Sequence, residues 1–335
     1  MALQLTKAHP RLWSLDAGVA LVVTDLHGDW DTYARYRDRF VKLHAAGQAD
    51  CLIFTGDLIH RESGAGADRS LDIVLDILAL RERYGDSILY LCGNHELPHL
   101  YGFVLGKGNT EYTPSFEAAL SQSGRRADVL ALFEALPFFI RTAAGVSITH
   151  AGASAPLSDT AQAARLFDWD HQAVRAWAEE RLAEGERAEL RSGYAKLSGE
   201  NSYDALARHY LAVSGPADPR YDDLLCGFLI TAHPDFRIVR NALFTRCEQG
   251  DGEGAYTARL TAALECLSIG YAPQRLLVAG HIATPGGHAV VAQRHLRLAS
   301  GAHAQPAASR AYLLFDTARS IARIDDLVAD LQPIE

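Results

Sequence analysis

The chain has 335 residues, 48% of them hydrophobic and 22% charged, with a net charge of −9 at neutral pH. That length suits one large domain or two modest ones, and the negative charge repels an extended phosphate backbone, so nucleic acid is not an expected partner. No apolar run reaches membrane-spanning length, the stretch around Lys7, Arg11 and Asp16 lacks a cleavage-site pattern, and Cys51, Cys92, Cys226, Cys247 and Cys266 show no CxxC spacing. A cytoplasmic, reducing location without membrane contact is the expectation.

In chain order, Val19–Thr24 opens a series of short apolar runs that read as buried strands. Cys51–Thr55, Ile88–Cys92, Val146–Thr149 and Arg275–Ala279 follow. Between the first three, Asp31–Ala46 and Arg69–Tyr84 read as helices, the second with Leu71, Val74, Leu75, Leu78 and Ala79 on one face. Asp29 and Asp68 are placed to cap them. Alternating strands and helices predict an α/β fold with parallel strands and right-handed crossovers. Residues 153–241 are helical in character, with Ala161–Leu182 the best amphipathic segment and Pro216, Pro219 and Pro234 dividing the rest. They read as a helical insertion or cap within a single domain of residues 1–335, or equally as extra packing without contact to substrate. Beyond them, Ala289–Ala292, Ala311–Phe315 and Ser320–Asp325 predict a second, more antiparallel sheet.

Each of the five main strand signals runs into a cluster of polar residues. These are Asp25-Leu26-His27-Gly28-Asp29, Gly56-Asp57, Gly93-Asn94-His95-Glu96, His150-Ala151-Gly152 and Gly280-His281. The binding crevice of an open α/β sheet lies beyond the carboxyl ends of its strands, so the five clusters can converge. Two residues apart in extended chain, Asp25 and His27 project to one side and can hold a first metal. Asp57 can bridge two ions, and Asn94, His150 and His281 complete the second. This oxygen and nitrogen set suits Mn, Fe or Zn. Taken singly, each residue has a plainer role, as a turn former, a helix cap or a core histidine. Their shared strand-end position is what points to metal. Two ions so held can generate a bridging hydroxide and stabilise the attacking and leaving oxygens of a phosphate ester.

Together these motifs resemble the calcineurin-like metallophosphoesterase superfamily, whose pattern is D-x-H, GD, GNH[ED], H and GH. They are most similar to its phosphoprotein phosphatase branch, and within it to the bacterial Shewanella-like phosphatases. Gly56-Asp57-Leu58-Ile59-His60-Arg61 resembles GDxxDRG, Phe244-Thr245-Arg246 resembles W-x-R, and Ala283 stands where the broader family has a second histidine. Gly286-Gly287 and Ser300-Gly301 resemble the branch's glycine positions. The resemblance implies a four-layer α/β/β/α sandwich and two divalent or trivalent transition-metal ions. It also implies that His95 contacts the scissile ester or protonates the leaving group, and that Arg61 and Arg246 grip phosphate. Guanidinium and imidazole chemistry agree with those roles.

The departures are Thr24 for the usual leading glycine, His60 for the branch's Asp, and Glu62 for its glycine. With His60 in place, either Glu62, Glu96 or a carboxylate from the insertion supports His95, or protonation of the leaving group is weakened and aryl phosphates are favoured. An uninvolved surface position for His60 is the alternative. The expected substrate is a phosphomonoester, on a phosphoserine, phosphothreonine or phosphotyrosine protein or a small phosphate ester. A nucleotide or dinucleotide polyphosphate hydrolase is the alternative within the class, and a non-catalytic phosphate-binding scaffold the alternative outside it. Tyr101, Gly102 and Phe103 either line one wall of the site or belong to the core.

Overall fold

The strands beginning at Val19, Cys51 and Ile88 form the parallel part of a five-stranded sheet. Its order is Leu331–Pro333, Ala311–Asp316, Val19–Val23, Cys51–Phe54 and Ile88–Tyr90, with the first two antiparallel additions. A seven-stranded mixed sheet runs Gln4–Thr6, Leu12–Ala17, Phe139–Thr142, Val146–Thr149, Leu276–Ala279, His295–Leu298 and His288–Val291. This computed structural model describes residues 3–61 and 66–334.

Register explains why the clusters meet. Val23 pairs with Phe54 and Phe54 with Tyr90, so three parallel strands end level with one another. Thr149 pairs with Ala279 in the same way in the other sheet. The polar clusters therefore leave from aligned strand ends, three from one sheet and two from the other.

Side chains that alternate along the strands fill a shared core between the sheets: Ala20, Val22, Ile53 and Leu89 from one, Ile148, Val278, Leu296 and Leu298 from the other. The intervening Leu21, Val23, Leu52 and Phe54 are equally buried. They read as continuous apolar runs because both faces of the sheet are covered. On the outer face of the five-stranded sheet, Tyr33 of helix Trp30–Ala45 stacks on Phe54, ring centroids 5.8 Å apart. On the other outer face, Phe167 of helix Thr160–Phe167 meets Phe139 edge-on at 5.7 Å. The result is the expected α/β/β/α sandwich, in which each fully buried aliphatic contributes about 1.5–3 kcal/mol.

Asp29 caps helix Trp30–Ala45, its carboxylate accepting from Thr32 N at 3.2 Å. Helix Ser70–Tyr84 starts at Arg69, yet Asp68 still accepts from Ser70 N at 2.9 Å and so satisfies a first-turn amide. Several sequence expectations need correction. Helix Ser70–Tyr84 buries Ile73, Val74, Ile77 and Leu80, and of the expected face of Leu71, Val74, Leu75, Leu78 and Ala79 only Val74 is buried. The helix expected over Ala161–Leu182 is two, Thr160–Phe167 and His171–Glu184, because Asp170 caps the second by accepting from Gln172 and Ala173. Ser320–Asp325 is not a strand: Ile321, Ile324 and Leu327 bury at a spacing of three, residues 320–323 are irregular and helix Ile324–Val328 begins at the segment's end. The longer C-terminal strands join the two main sheets, His288–Val291 and His295–Leu298 extending the seven-stranded sheet and Ala311–Asp316 the five-stranded one, while the short Thr284–Pro285 and Ala304–Gln305 pair separately in parallel.

Two compact units make up the chain. Met1–Asn94, Ala135–Trp169 and Ile238–Glu335 contain both sheets, and His95–Glu134 with Asp170–Arg237 form a helical unit. The expected insertion over 153–241 shares 170–237 with that helical unit, which also takes in 95–134. Its core includes Leu182, Tyr203, Leu206, Leu211, Tyr221 and Leu224. A buried carboxylate, Glu117, is held there by His99 at 2.7 Å, Arg126 and Arg220. Burial pushes this carboxyl up, but His99 and Arg126 outweigh it and hold the group below the usual range. Tyr101 is buried and Phe103 half-buried, and both pack inside this unit on Phe236, at 5.1 and 5.9 Å.

Candidate metal centre

Asp57 leaves its strand after Gly56, which has φ +105°, and a Cβ on Gly56 would stand 2.6 Å from the backbone of Gly93. Glycine therefore allows the second and third strand ends to touch. Gly280 does the same elsewhere, since its Cβ would fall on the carboxylate of Asp25. The loops are then laced by backbone hydrogen bonds: His27 N donates to Asp57 O at 3.0 Å, and Gly280 N to His150 O at 3.0 Å. Thr24 serves where a glycine is usual. Its hydroxyl donates to Leu298 O at 2.9 Å and accepts from Ser300 N at 3.1 Å.

Four electron-rich atoms converge at one side. His150 Nε2 lies 3.0 Å from Asn94 Oδ1, 3.1 Å from His281 Nδ1 and 3.5 Å from Asp57 Oδ2. The opposite nitrogen, His150 Nδ1, sits 3.0 Å from Thr55 O, and a carbonyl only accepts, so Nδ1 carries the proton. Burial pushes His150 down to about 3, so the ring is neutral and Nε2 presents its lone pair to the oxygen of Asn94. Burial, the His150 imidazole and the guanidinium groups of Arg297 and Arg246 hold His281 well below the usual imidazole range. Among the described residues its Nε2 is buried with no hydrogen-bond partner. Opposed lone pairs and an orphaned imidazole nitrogen are the arrangement a cation resolves, so the donor set fits metal.

At the other side, His27 Nδ1 donates to the carbonyls of Ile59 and His60 at 3.3 and 3.2 Å, which turns Nε2 toward Asp57 Oδ2 at 4.0 Å. Orientation of a ligating histidine by a hydrogen bond from its other nitrogen is characteristic of metal sites. Asp25 Oδ1 accepts from His281 N at 2.8 Å, joining the two sides. Asp25, His27, Asp57 and His281 all adopt left-handed backbone, with φ of 46°, 46°, 52° and 71°. Such conformations cost roughly 1–3 kcal/mol each and persist where function requires them.

The profile of the calcineurin-like phosphoesterases matches residues 19–224 of the chain. The chain belongs to this family. It is thus a phosphoesterase hydrolase of a family that uses divalent metals, which sets the scaffold alternative aside. Among solved structures, the phosphoesterase is similar to a serine/threonine phosphatase from Saccharomyces cerevisiae with similarity to human phosphatase PP5. The identity is 15%, covering 95% of this chain and 79% of that one, with a TM-score of 0.48. It is also similar to a cold-active protein-tyrosine phosphatase of a psychrophilic Shewanella species, at 15% identity, 97% and 82% coverage and a TM-score of 0.42. A metallophosphoesterase from Sphaerobacter thermophilus matches at 15% identity, 94% and 93% coverage and a TM-score of 0.32. No curated protein sequence matches significantly.

The remaining expected residues of the phosphoesterase fall as follows. Arg61 is partly buried and reaches Gly28 O at 3.4 Å. Arg246 starts the short helix Cys247–Gly250, is exposed, and lies near enough for its charge to depress His281. His60 is buried rather than superficial, with φ 67°, and its carbonyl orients His27. His95 follows Asn94 directly, is buried, and packs at 5.0 Å on Tyr112. Glu96 is fully buried at the start of helix Leu97–Tyr101, and Glu62 lies outside the described residues.

Two residues escaped the sequence reading. Arg297 is almost wholly buried, and its guanidinium donates to Ala151 O at 3.0 Å and to Gly280 O, the carbonyls next to His150 and His281. Glu248, two residues after Arg246, holds Arg297 by two contacts, one of 3.0 Å. A charged residue inside the Leu296–Leu298 run was the available signal. The second residue is His303, three positions after Ser300.

Proposed function

We propose that the phosphoesterase holds two transition-metal ions, Mn, Fe or Zn, and hydrolyses phosphomonoesters within a single domain of residues 1–335 that carries the helical insertion. Asp25 and His27 hold one ion, Asn94, His150 and His281 the other, and Asp57 both. The observation that carries this reading is the meeting of three donor atoms, Asn94 Oδ1, His281 Nδ1 and Asp57 Oδ2, within 3.0–3.5 Å of His150 Nε2. Bound there, two ions supply an activated water and stabilise charge on the attacking and leaving oxygens.

The protein's own groups do the rest. Arg61 and Arg246 orient phosphate oxygens through paired N–H donors. His95, adjacent to Asn94 in the chain, donates a proton to the leaving oxygen. His60 brings no carboxylate to support that proton, so poor leaving groups react slowly. The substrate class is a phosphorylated protein carrying phosphoserine, phosphothreonine or phosphotyrosine.

A panel assayed with manganese, zinc and iron tests this. It comprises phosphopeptides of the three kinds, nucleoside and dinucleoside polyphosphates, and matched aryl and alkyl phosphates. Turnover of phosphopeptides and a marked preference for aryl over alkyl esters are expected. Cleavage of the dinucleoside polyphosphates alone would overturn the substrate assignment, and equal aryl and alkyl rates would overturn the leaving-group argument.

A further inference from the structure

His303 belongs to none of the five motifs, yet the fold sets it against Asp25 and His27. Its Nδ1 is 3.6 Å from Asp25 Oδ1, and its ring meets that of His27 edge-on with centroids 5.1 Å apart. One donor atom from each of Asp25, His27 and His303 lies within 4.8 Å of the other two, and all three residues are buried. This approach is held from several directions. Ala302 N donates to Asp25 O at 3.2 Å, Thr284 N donates to His303 O at 2.9 Å, and Ser300 N is tied to the Thr24 hydroxyl. A Cβ on Gly301 would stand 2.2 Å from Asp25 O, so the segment runs against the Asp25 loop with no space to spare.

We propose that His303 is the fourth protein ligand of the ion held by Asp25, His27 and Asp57, an assignment that rests on the two-ion reading above. Spacing separates this role from a simple ion pair. A histidine paired with a carboxylate sits at hydrogen-bond distance, about 2.7–2.9 Å, whereas two donors each about 2.1 Å from one tetrahedral ion lie roughly 3.4 Å apart. The Asp25–His303 separation of 3.6 Å matches the second figure. Donor count argues the same way. Asp57, Asn94, His150 and His281 give the second ion four protein ligands, while Asp25, His27 and Asp57 alone leave the first with three. His303 makes the two sets equal. It comes from a different segment than Ala283, which is the position in the Gly280-His281 motif that offers no donor.

Calorimetric titration of the metal-free protein with Mn²⁺, with ions counted after gel filtration, tests the assignment without reference to activity. Wild type is expected to hold two ions. His303→Ala is expected to keep one and to bind the other about 10- to 100-fold more weakly, and its melting temperature should rise less on Mn²⁺ addition, each protein being compared with its own metal-free form. His303→Gln, which keeps a donor of similar reach, should fall between them, and it carries the test if the alanine variant does not fold. Two ions bound at wild-type affinity by these variants would overturn the role of His303. A wild type that binds no second ion would instead overturn the two-ion reading.

Discussion

Replacing Arg297 by methionine removes the group that ties the His150 and His281 loops together. The guanidinium is 2% exposed and its partner Glu248 carboxylate 8%, so the variant leaves a carboxylate buried without its cation. Stranding one member of a buried pair costs about 3–5 kcal/mol, and the carbonyls of Gly280 and Ala151 each lose a donor worth about 1 kcal/mol or more. Glu248→Met strands the opposite charge and should cost a similar amount. The double variant buries neither charge, so only the carbonyl losses remain, roughly 2 kcal/mol. Urea unfolding of the four proteins should thus give a coupling of about 6 kcal/mol even at the low end of those costs, beyond the usual range for side chains in contact. Manganese affinity should fall in Arg297→Met as the two imidazoles lose their common anchor. Additive costs, within about 0.5 kcal/mol, would refute the latch.

Two further predictions follow from single positions. Gly56→Ala places a methyl 2.6 Å from the Gly93 backbone at φ +105°; strain and overpacking at roughly 1–3 kcal/mol each should lower stability by about 2–6 kcal/mol in thermal or urea unfolding. Burial pushes the Asp223 carboxyl up to about 6 from 3.8, against the opposing pull of Arg175, Arg126 and Arg220. The native state then holds the extra proton, so the contribution of this one group to stability is greatest below pH 3.8 and is lost as pH rises from there through about 6. Asp223→Asn should remove that decline, stabilising the protein by about 1–3 kcal/mol at pH 7 and hardly at all at pH 3.8; an equal gain at both pH values would refute the titration.

The five strand-end clusters were legible because a buried parallel strand writes itself as a continuous apolar run, and a chain leaving it polar and glycine-rich must be turning. Register, which brings Val23, Phe54 and Tyr90 level, is not written locally, so the sequence implied convergence without its geometry. The same limit hid the sheet membership of the C-terminal strands. Alternation marks a strand but not its neighbour, and Ala311–Asp316 pairs with Val19–Val23 across almost the whole chain. Ala161–Leu182 kept an apolar stripe through a break made by one capping aspartate, Asp170. Residues 95–134 joined the helical unit through tertiary packing such as Glu117 with Arg220, which no local pattern announces. Arg297 and His303 stayed unread because what they do depends on backbone carbonyls and on an aspartate far away in the chain.

The central claim is that Asp57 joins two ions into one hydrolytic centre. The most direct test is metal content measured alongside turnover of an aryl phosphate, for wild type and for Asp57→Asn. Two ions per wild-type chain are expected, with turnover that vanishes on chelation and returns with manganese, while the variant holds fewer ions and turns nothing over. Full turnover by Asp57→Asn, or by wild type stripped of metal, would contradict it.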